Sequence, residues 1–320
     1  MHERSIRSVA VIAFGLVALT GCTAAEPAAS DPPPSDGAER IAYSLGEAPD
    51  SRRPALWTIN PDGSDAQPVG DQLGQYPDWS PDRTHLVFDY FGDDGRVHIG
   101  RIAPDGTGFA QLTDDVFSGE PDYAPDASTI VLSKSPVADE YAPGFTTTLW
   151  LMDADGSNAR LLLAPAEAGF DYEGEYSPDG SEIAFTRYDP ATDTSAIFVV
   201  RPDGSGLRQA TAFDTVVEHP RWSPDGETLI YNIQFSADLD DPRNGIWVVP
   251  ATGGDPTRLL ASTPERHVIK PDYSRDGERI AFGCFFRDED NEDLCVMDAD
   301  GGSVERITDT RGFENYPVWD

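Results

Sequence analysis

Short apolar runs rich in Ile, Val, Phe, Tyr and Trp recur along the chain in pairs. Arg40-Ile41-Ala42-Tyr43 is followed by Leu56-Trp57-Thr58-Ile59, Glu182-Ile183-Ala184-Phe185 by Ile197-Phe198-Val199-Val200, and His85-Leu86-Val87-Phe88 and Arg279-Ile280-Ala281-Phe282 begin further pairs. Leu149-Trp150-Leu151-Met152 and Ile246-Trp247-Val248-Val249 continue the series. β-Branched and aromatic runs of this length, bounded by Gly, Pro and Asp, predict strands. No helical periodicity follows the first twenty or so residues.

Between the pairs stands a repeated motif, an aromatic residue followed by Ser/Ala-Pro-Asp. It occurs at Trp79, Tyr123, Tyr176 and Trp222, at Tyr273 with Arg275 in place of Pro, and begins again at Trp319-Asp320. The intervals of 44, 53, 46, 51 and 46 residues match the period of a four-stranded propeller blade. Six Gly turns, at Gly63, Gly106, Gly156, Gly204, Gly253 and Gly301, supply the positive φ of tight hairpins. The first turn precedes the first aromatic anchor and the last anchor follows the last turn, so one blade is split between the ends. The expected fold is all-β, a six-bladed β-propeller in which Asn315 to Asp320 pair with the strands that start near Glu39. Such closure removes open sheet edges.

Aromatic-Ser-Pro-Asp-Gly, Ile-Ala-Phe, a third apolar strand, then Asp-Gly-Ser and Arg-Leu-Thr resemble the repeat of TolB-type propellers, most fully at Tyr176 to Thr186 and Tyr273 to Thr308. The resemblance covers residues 38 to 320 and implies a scaffold that hosts many functions. TolB itself has a separate N-terminal domain before its propeller, and none is expected here. Instead, Arg4 and Arg7 precede an apolar run from Val9 to Leu19, too short for a usual membrane span and typical of an export signal. Leu19-Thr20-Gly21-Cys22 resembles the bacterial lipobox, which implies a diacylated Cys22 as the mature first residue. The plainer alternative is an ordinary signal with a coincidental cysteine. The Ala, Pro, Ser and Asp of Thr23 to Gly37 read as a flexible tether. The expected organisation is a signal peptide over 1–21, lipidated Cys22 and tether over 22–37, and the propeller over 38–320. The expected location is outside the cytoplasm, anchored to the cell membrane.

The formal charge of -34 speaks against nucleic acid as a partner, because phosphate binding wants a basic patch. Cys284 and Cys295, on consecutive strands, would face one another on a symmetric hairpin, and an exported chain meets oxidising conditions. A disulfide is expected; two separate buried thiols are the alternative.

Anchor to second strand spans nine residues in every repeat, and third strand to Gly turn spans six, whereas the second-to-third connection varies from 12 residues (Phe88 to Gly100) to 18 (Leu132 to Trp150). Variable loops on a rigid scaffold are the usual site of binding. Counting back from Pro77, Pro121, Pro220, Pro271 and Pro317 places Tyr76, Glu120, Glu173, His219, Lys270 and Tyr316 on the rim of the central funnel, just before each inner strand. Two aromatics, two carboxylates, a His and a Lys suit a peptide, protein or glycan of the cell envelope, held by stacking and charge-assisted hydrogen bonds. Rim groups that are simply hydrated are the bland alternative.

No Gly-x-Ser-x-Gly, paired His at helical spacing, Cys-x-x-Cys or phosphate loop is present. The enzyme alternative is a metal-dependent hydrolase or sugar-oxidising enzyme using the same funnel, with His219, His267, Glu218 and Glu120 as candidate ligands. The acidic run Asp288 to Asp293 could bind calcium, but it lacks the glycine and ligand spacing of an EF loop; a solvated hairpin tip and no cofactor are expected, with calcium as the alternative. A monomer is the expected state.

Overall fold

The computed structural model describes residues 39–320 apart from 49–50, 139–141, 143, 165–168, 235–240, 242, 287–288 and 290. The chain divides into Met1–Pro32 and Pro33–Asp320, and every described residue belongs to the second unit. The expected signal, Cys22 and the tether lie outside the described residues.

Among the described residues there is no helix, and the strands associate in antiparallel sets of four. The innermost strands are Gln75–Trp79, Phe117–Tyr123, Phe170–Tyr176, Val217–Trp222, Arg266–Tyr273 and Phe313–Trp319. Each pairs with the strand of the Ile-Ala-Phe type, and that strand pairs with the third, as in Ile183–Asp189 against Thr194–Val200. Two sheets of eight strands are two such sets joined by one parallel pair, Val97 to Phe117 in one and Glu292 to Phe313 in the other. Phe313–Trp319 lies antiparallel to Ile41–Gly46, with Ile41 opposite Trp319 and Gly46 opposite Phe313. The fold is a β-propeller.

The repeated motif is explained by its turn. Ser80 Oγ donates to Asp82 Oδ1 at 2.8 Å and accepts the His85 N–H at 3.0 Å, while Asp82 Oδ1 also accepts the Thr84 N–H. Ser177 with Asp179, Ser223 with Asp225 and Ser274 with Asp276 repeat this arrangement. Asp and Ser close their own backbone here as in other Asx turns. At Ala124 the hydroxyl is missing and Asp126 alone caps the turn, at Ser128.

The core is divided among the interfaces of the sets. Ala184, Ile197 and Val199 of one set meet Val217, Trp222 and Tyr231 of the next. Ile41, Tyr43, Ile59 and Trp319 meet Ala281, Leu294 and Val296, while Ala42, Leu56 and Val318 meet Trp79, Leu86 and Phe88 on their other side. The set built on Ile41–Gly46 is thus covered on both faces, as apolar strands buried on both sides require. Gly63 belongs to the same seam: a Cβ there would stand 2.3 Å from the carbonyl oxygen of Ile307, so the turn approaches its neighbour as only glycine permits.

Two expectations need correction. The rim residues do not precede the inner strands but lie within them, at a register shift such as that between Gly119 and Asp122. The following proline has no N–H to offer the ladder, which makes a continuous strand look like a loop in sequence. Cys284 and Cys295 are bonded, with Cα atoms 5.9 Å apart, yet they are not directly opposed. Cys284 sits opposite Asp293 and Cys295 opposite Phe282, so the disulfide is a diagonal one. The acidic run from Asp288 ends in strand, from Glu292, where burial of Asp293 is compensated by ion pairing. Asp293 pairs with Arg306 at 2.6 Å and accepts the Thr310 N–H.

Candidate functional site

Tyr76, Glu120, Glu173, His219, Lys270 and Tyr316 all line one axial cavity of about 490 Å³. Each has positive φ, between 48° and 54°. This left-handed conformation normally belongs to Gly and, less often, Asn or Asp. At four of the six the bulge turns the backbone N–H towards the preceding set, where a side chain receives it, whereas the Tyr316 N–H donates to Asn315 of its own strand. Glu120 N–H donates to Asp89 Oδ2 at 3.0 Å, Glu173 N–H to Glu120 Oε2 at 3.0 Å, His219 N–H to Glu173 Oε2 at 2.8 Å and Lys270 N–H to Asn232 Oδ1 at 3.0 Å. Asp89 and Asn232 each follow the second-strand aromatic, at Phe88 and Tyr231. Where that position is Ser133 or Thr186, too short to reach, the hydroxyl instead donates to the rim Glu of its own set, and that Glu reaches across.

Glu173 also holds the His219 ring, Oε1 to Nδ1 at 2.8 Å. Burial alone would raise the Glu173 carboxyl, but His219 and its hydrogen bonds keep it below the usual range. The Tyr76 and Tyr316 rings meet with centroids 3.8 Å apart and planes tilted by 34°, and His219 meets Tyr316 edge-on. Lys270 Nζ donates to Asn315 Oδ1 and lies 4.1 Å from the Tyr316 ring centre, a cation–π contact. Burial pulls the Lys270 ammonium down in pKa and pushes both tyrosines well up.

A second layer lies beneath, two residues after the rim position in each set: Asp78, Asp122, Glu175, Arg221 and Asp272, with Val318 sixth. Its carboxylates accept the N–H of the next aromatic anchor. Tyr123 donates to Asp78 at 2.9 Å, Tyr176 to Asp122 at 2.8 Å, Trp222 to Glu175 at 3.1 Å and Trp319 to Asp272 at 2.7 Å. Arg221 is the shared counter-ion, 2.8 Å from Glu175 and 3.7 Å from Asp122. Burial raises Asp78 to about 6 and Glu175 to about 8, with Arg221 opposing both shifts. Burial likewise raises Asp122 and Asp272. A charged residue stands immediately before five of the six aromatic anchors, but the mixture of Asp, Glu and Arg at that offset hides the layer in the sequence.

Asp78 also faces a cavity on the other side of the layer, beside Trp79, Trp222 and Trp319. On the rim side, Tyr76, Glu120 and Tyr316 also border an open groove of about 1000 Å³ that extends past Asp89, Phe91 and Phe117. His267 is not brought to His219: it is buried opposite Phe285, with neither ring nitrogen hydrogen-bonded, and burial lowers its pKa. Within the acidic run, Glu289 and Asp293 are engaged by Arg306. Among the described residues no group of three or more His, Cys, Asp or Glu side chains is arranged to hold a metal ion.

The repeated strand sets around an axial cavity define the class, a β-propeller with an axial funnel. The chain belongs to the TolB beta propeller domain family, whose model matches residues 137–319. It is 26% identical over 260 residues to the uncharacterized protein Atu1656 of Agrobacterium fabrum, covering 78% of this chain and 81% of that one. It is 22% identical over 219 residues to the uncharacterized peptidase YuxL of Bacillus subtilis, covering 68% of this chain but only 29% of that relative. TolB from Acinetobacter baumannii superimposes with a TM-score of 0.71 at 19% identity, over 89% of this chain and 67% of that one.

Proposed function

We infer that the chain is a six-bladed propeller closed by its C-terminal strand and that its funnel rim binds a protein, peptide or glycan of the cell envelope. Closure is supported by the pairing of Phe313–Trp319 with Ile41–Gly46 and by core packing on both sides of that blade. An export signal and Cys22 support placement outside the cytoplasm on a lipid anchor, with the domain limits given by the sequence.

The single observation that carries the binding reading is the conformation of the rim. Six side chains are kept at positive φ where glycine would cost less, a strain of about 1 kcal/mol or more at each. Glycine is used freely at positive φ elsewhere in the same repeats, at Gly180, Gly226 and Gly277. Stitching accounts for Glu120 and Glu173, whose carboxylates take neighbouring N–H groups. It does not account for Tyr76 and Tyr316, which turn aromatic rings into the cavity.

The test is capture from detergent-solubilised envelopes by the full chain, compared with a Tyr76→Ala/His219→Ala/Tyr316→Ala variant of equal thermal stability. Loss of specific captured species from the variant is expected. Identical captures would remove the rim as the binding site.

A further inference from the structure

The rim and the groove beside it share Tyr76, Glu120 and Tyr316, so a ligand at one borders the other. We propose that funnel and groove form one site for a cationic segment of a peptide, with an arginine or lysine side chain directed into the funnel and the main chain along the groove. This deepens the rim reading and rests on it.

Charge argues for the cation. Glu120 and Glu173 stand at the rim and Asp89 in the groove wall. The cations of the funnel are already engaged: Lys270 by Asn315 and the Tyr316 ring, Arg221 by Glu175 and Asp122. An entering anion would face the Glu120 and Glu173 carboxylates, whereas a guanidinium or ammonium would meet them as acceptors. The net charge of -34 would also speed encounter with a basic partner.

The aromatic faces show the same preference, because the chain sets its own cations on them. Arg52 lies 5.5 Å from the Phe91 ring centre at one end of the groove, and Lys270 lies over Tyr316 at the other. A peptide suits the groove better than a small amine does. Its wall holds both apolar rings, Phe91, Phe117 and Phe313, and the amides and hydroxyls of Gln75, Asn315 and Ser44. An extended chain likewise presents both apolar and hydrogen-bonding groups.

The experiment titrates the full chain by calorimetry, at about 0.15 M salt so that exposed charges are screened, with acetyl-Ala-Arg-Ala-Arg-Ala-amide. The citrulline counterpart has the same shape without charge, and spermidine supplies charge without a peptide. The Arg peptide should bind at least about tenfold more tightly than either. Glu120→Gln should weaken it about fivefold or more. Asp203→Asn, the same charge change at an exposed turn, should leave binding unaltered. Equal binding of the Arg and citrulline peptides would overturn the proposal, as would equal binding of spermidine or equal effects of Glu120→Gln and Asp203→Asn. If no peptide binds while the rim variant still loses its captured partner, the cationic class falls and the rim reading stands.

Discussion

Arg221 shows how one residue can govern a whole layer. Four buried carboxylates hold neighbouring blades by their anchor N–H groups, and Arg221 is the cation among them. Removing one partner of a buried ion pair costs about 3–5 kcal/mol because the other charge is stranded. Arg221→Met should therefore lower unfolding free energy by roughly 3 kcal/mol near pH 8, and by less near pH 5, where protonation of Glu175 and Asp78 relieves the repulsion. Urea denaturation at the two pH values measures both numbers, and an equal loss at each would contradict the shared counter-ion role. Ala127 offers a cleaner test of backbone strain: it is exposed, has φ of 58°, and occupies the turn position filled by Gly180, Gly226 and Gly277 in other repeats. Ala127→Gly should stabilise by about 0.5–1 kcal/mol on relief of that strain, read from the same urea midpoints. The rim was legible because proline fixed a counting origin at five of its six positions. The layer below was not, since Asp, Glu, Arg and Val share its position and a run of unlike charges carries no visible pattern. The positive φ at the rim was equally hidden, because Tyr, Glu, His and Lys do not announce it as Gly would.

At the scale of elements, the motif spacing gave the strands and their order, whereas register and pairing depended on which polar groups burial could accommodate. The hairpin of Arg279–Phe286 and Glu292–Asp298 illustrates this. Asp293 is fully buried beside Arg306, which draws acidic residues into a strand and shifts the cysteines to diagonal positions. Their bond closes a loop of sequence separation 11, for which the chain-entropy model gives about 2–3 kcal/mol. A Cys284→Ala/Cys295→Ala variant should lose that amount, and reductant should lower the denaturation midpoint of the parent but not of the variant. The C-terminal strand Phe313–Trp319, paired with Ile41–Gly46, is the more consequential element. Trp319 is nearly buried, packs with Ile41, Tyr43 and Ile59, and donates its N–H to Asp272. Trp319→Ala should cost roughly 3–5 kcal/mol, as for other buried aromatics. Its unfolding should remain one transition by fluorescence and circular dichroism, since opening the seam exposes the edges of both blades. A separate early transition confined to the first blade would show that the seam is not part of the cooperative unit.

The molecule as a whole combines two populations of acids with opposite responses to pH. Turn aspartates such as Asp82, Asp126, Asp179 and Asp225 are held low by hydrogen bonds from neighbouring hydroxyls and N–H groups. Their contribution is present above the ordinary carboxyl range and fades as pH falls through the lowered values. The axial acids Asp78, Asp122, Glu175 and Asp272, with Glu292 and Glu314 on the last two long strands, are raised by burial, Glu314 to about 7. As pH rises from the ordinary carboxyl range, the unfolded chain releases these protons first while the folded chain retains them. Unfolding free energy must then fall with pH, because the folded state binds more protons. His267 works in the other direction: burial lowers it, so it favours the folded state less as acid is approached, but it is one group against six. The surplus negative charge also disfavours compactness as pH rises. Stability should peak at about pH 4–5 and decline by at least about 2 kcal/mol by pH 8. A urea midpoint series across that range measures the slope, and Glu175→Gln should flatten it. A profile rising steadily from pH 5 to pH 8 would mean that the axial carboxylates are ionised without penalty, and the account of the layer as a partly protonated seam around Arg221 would fail.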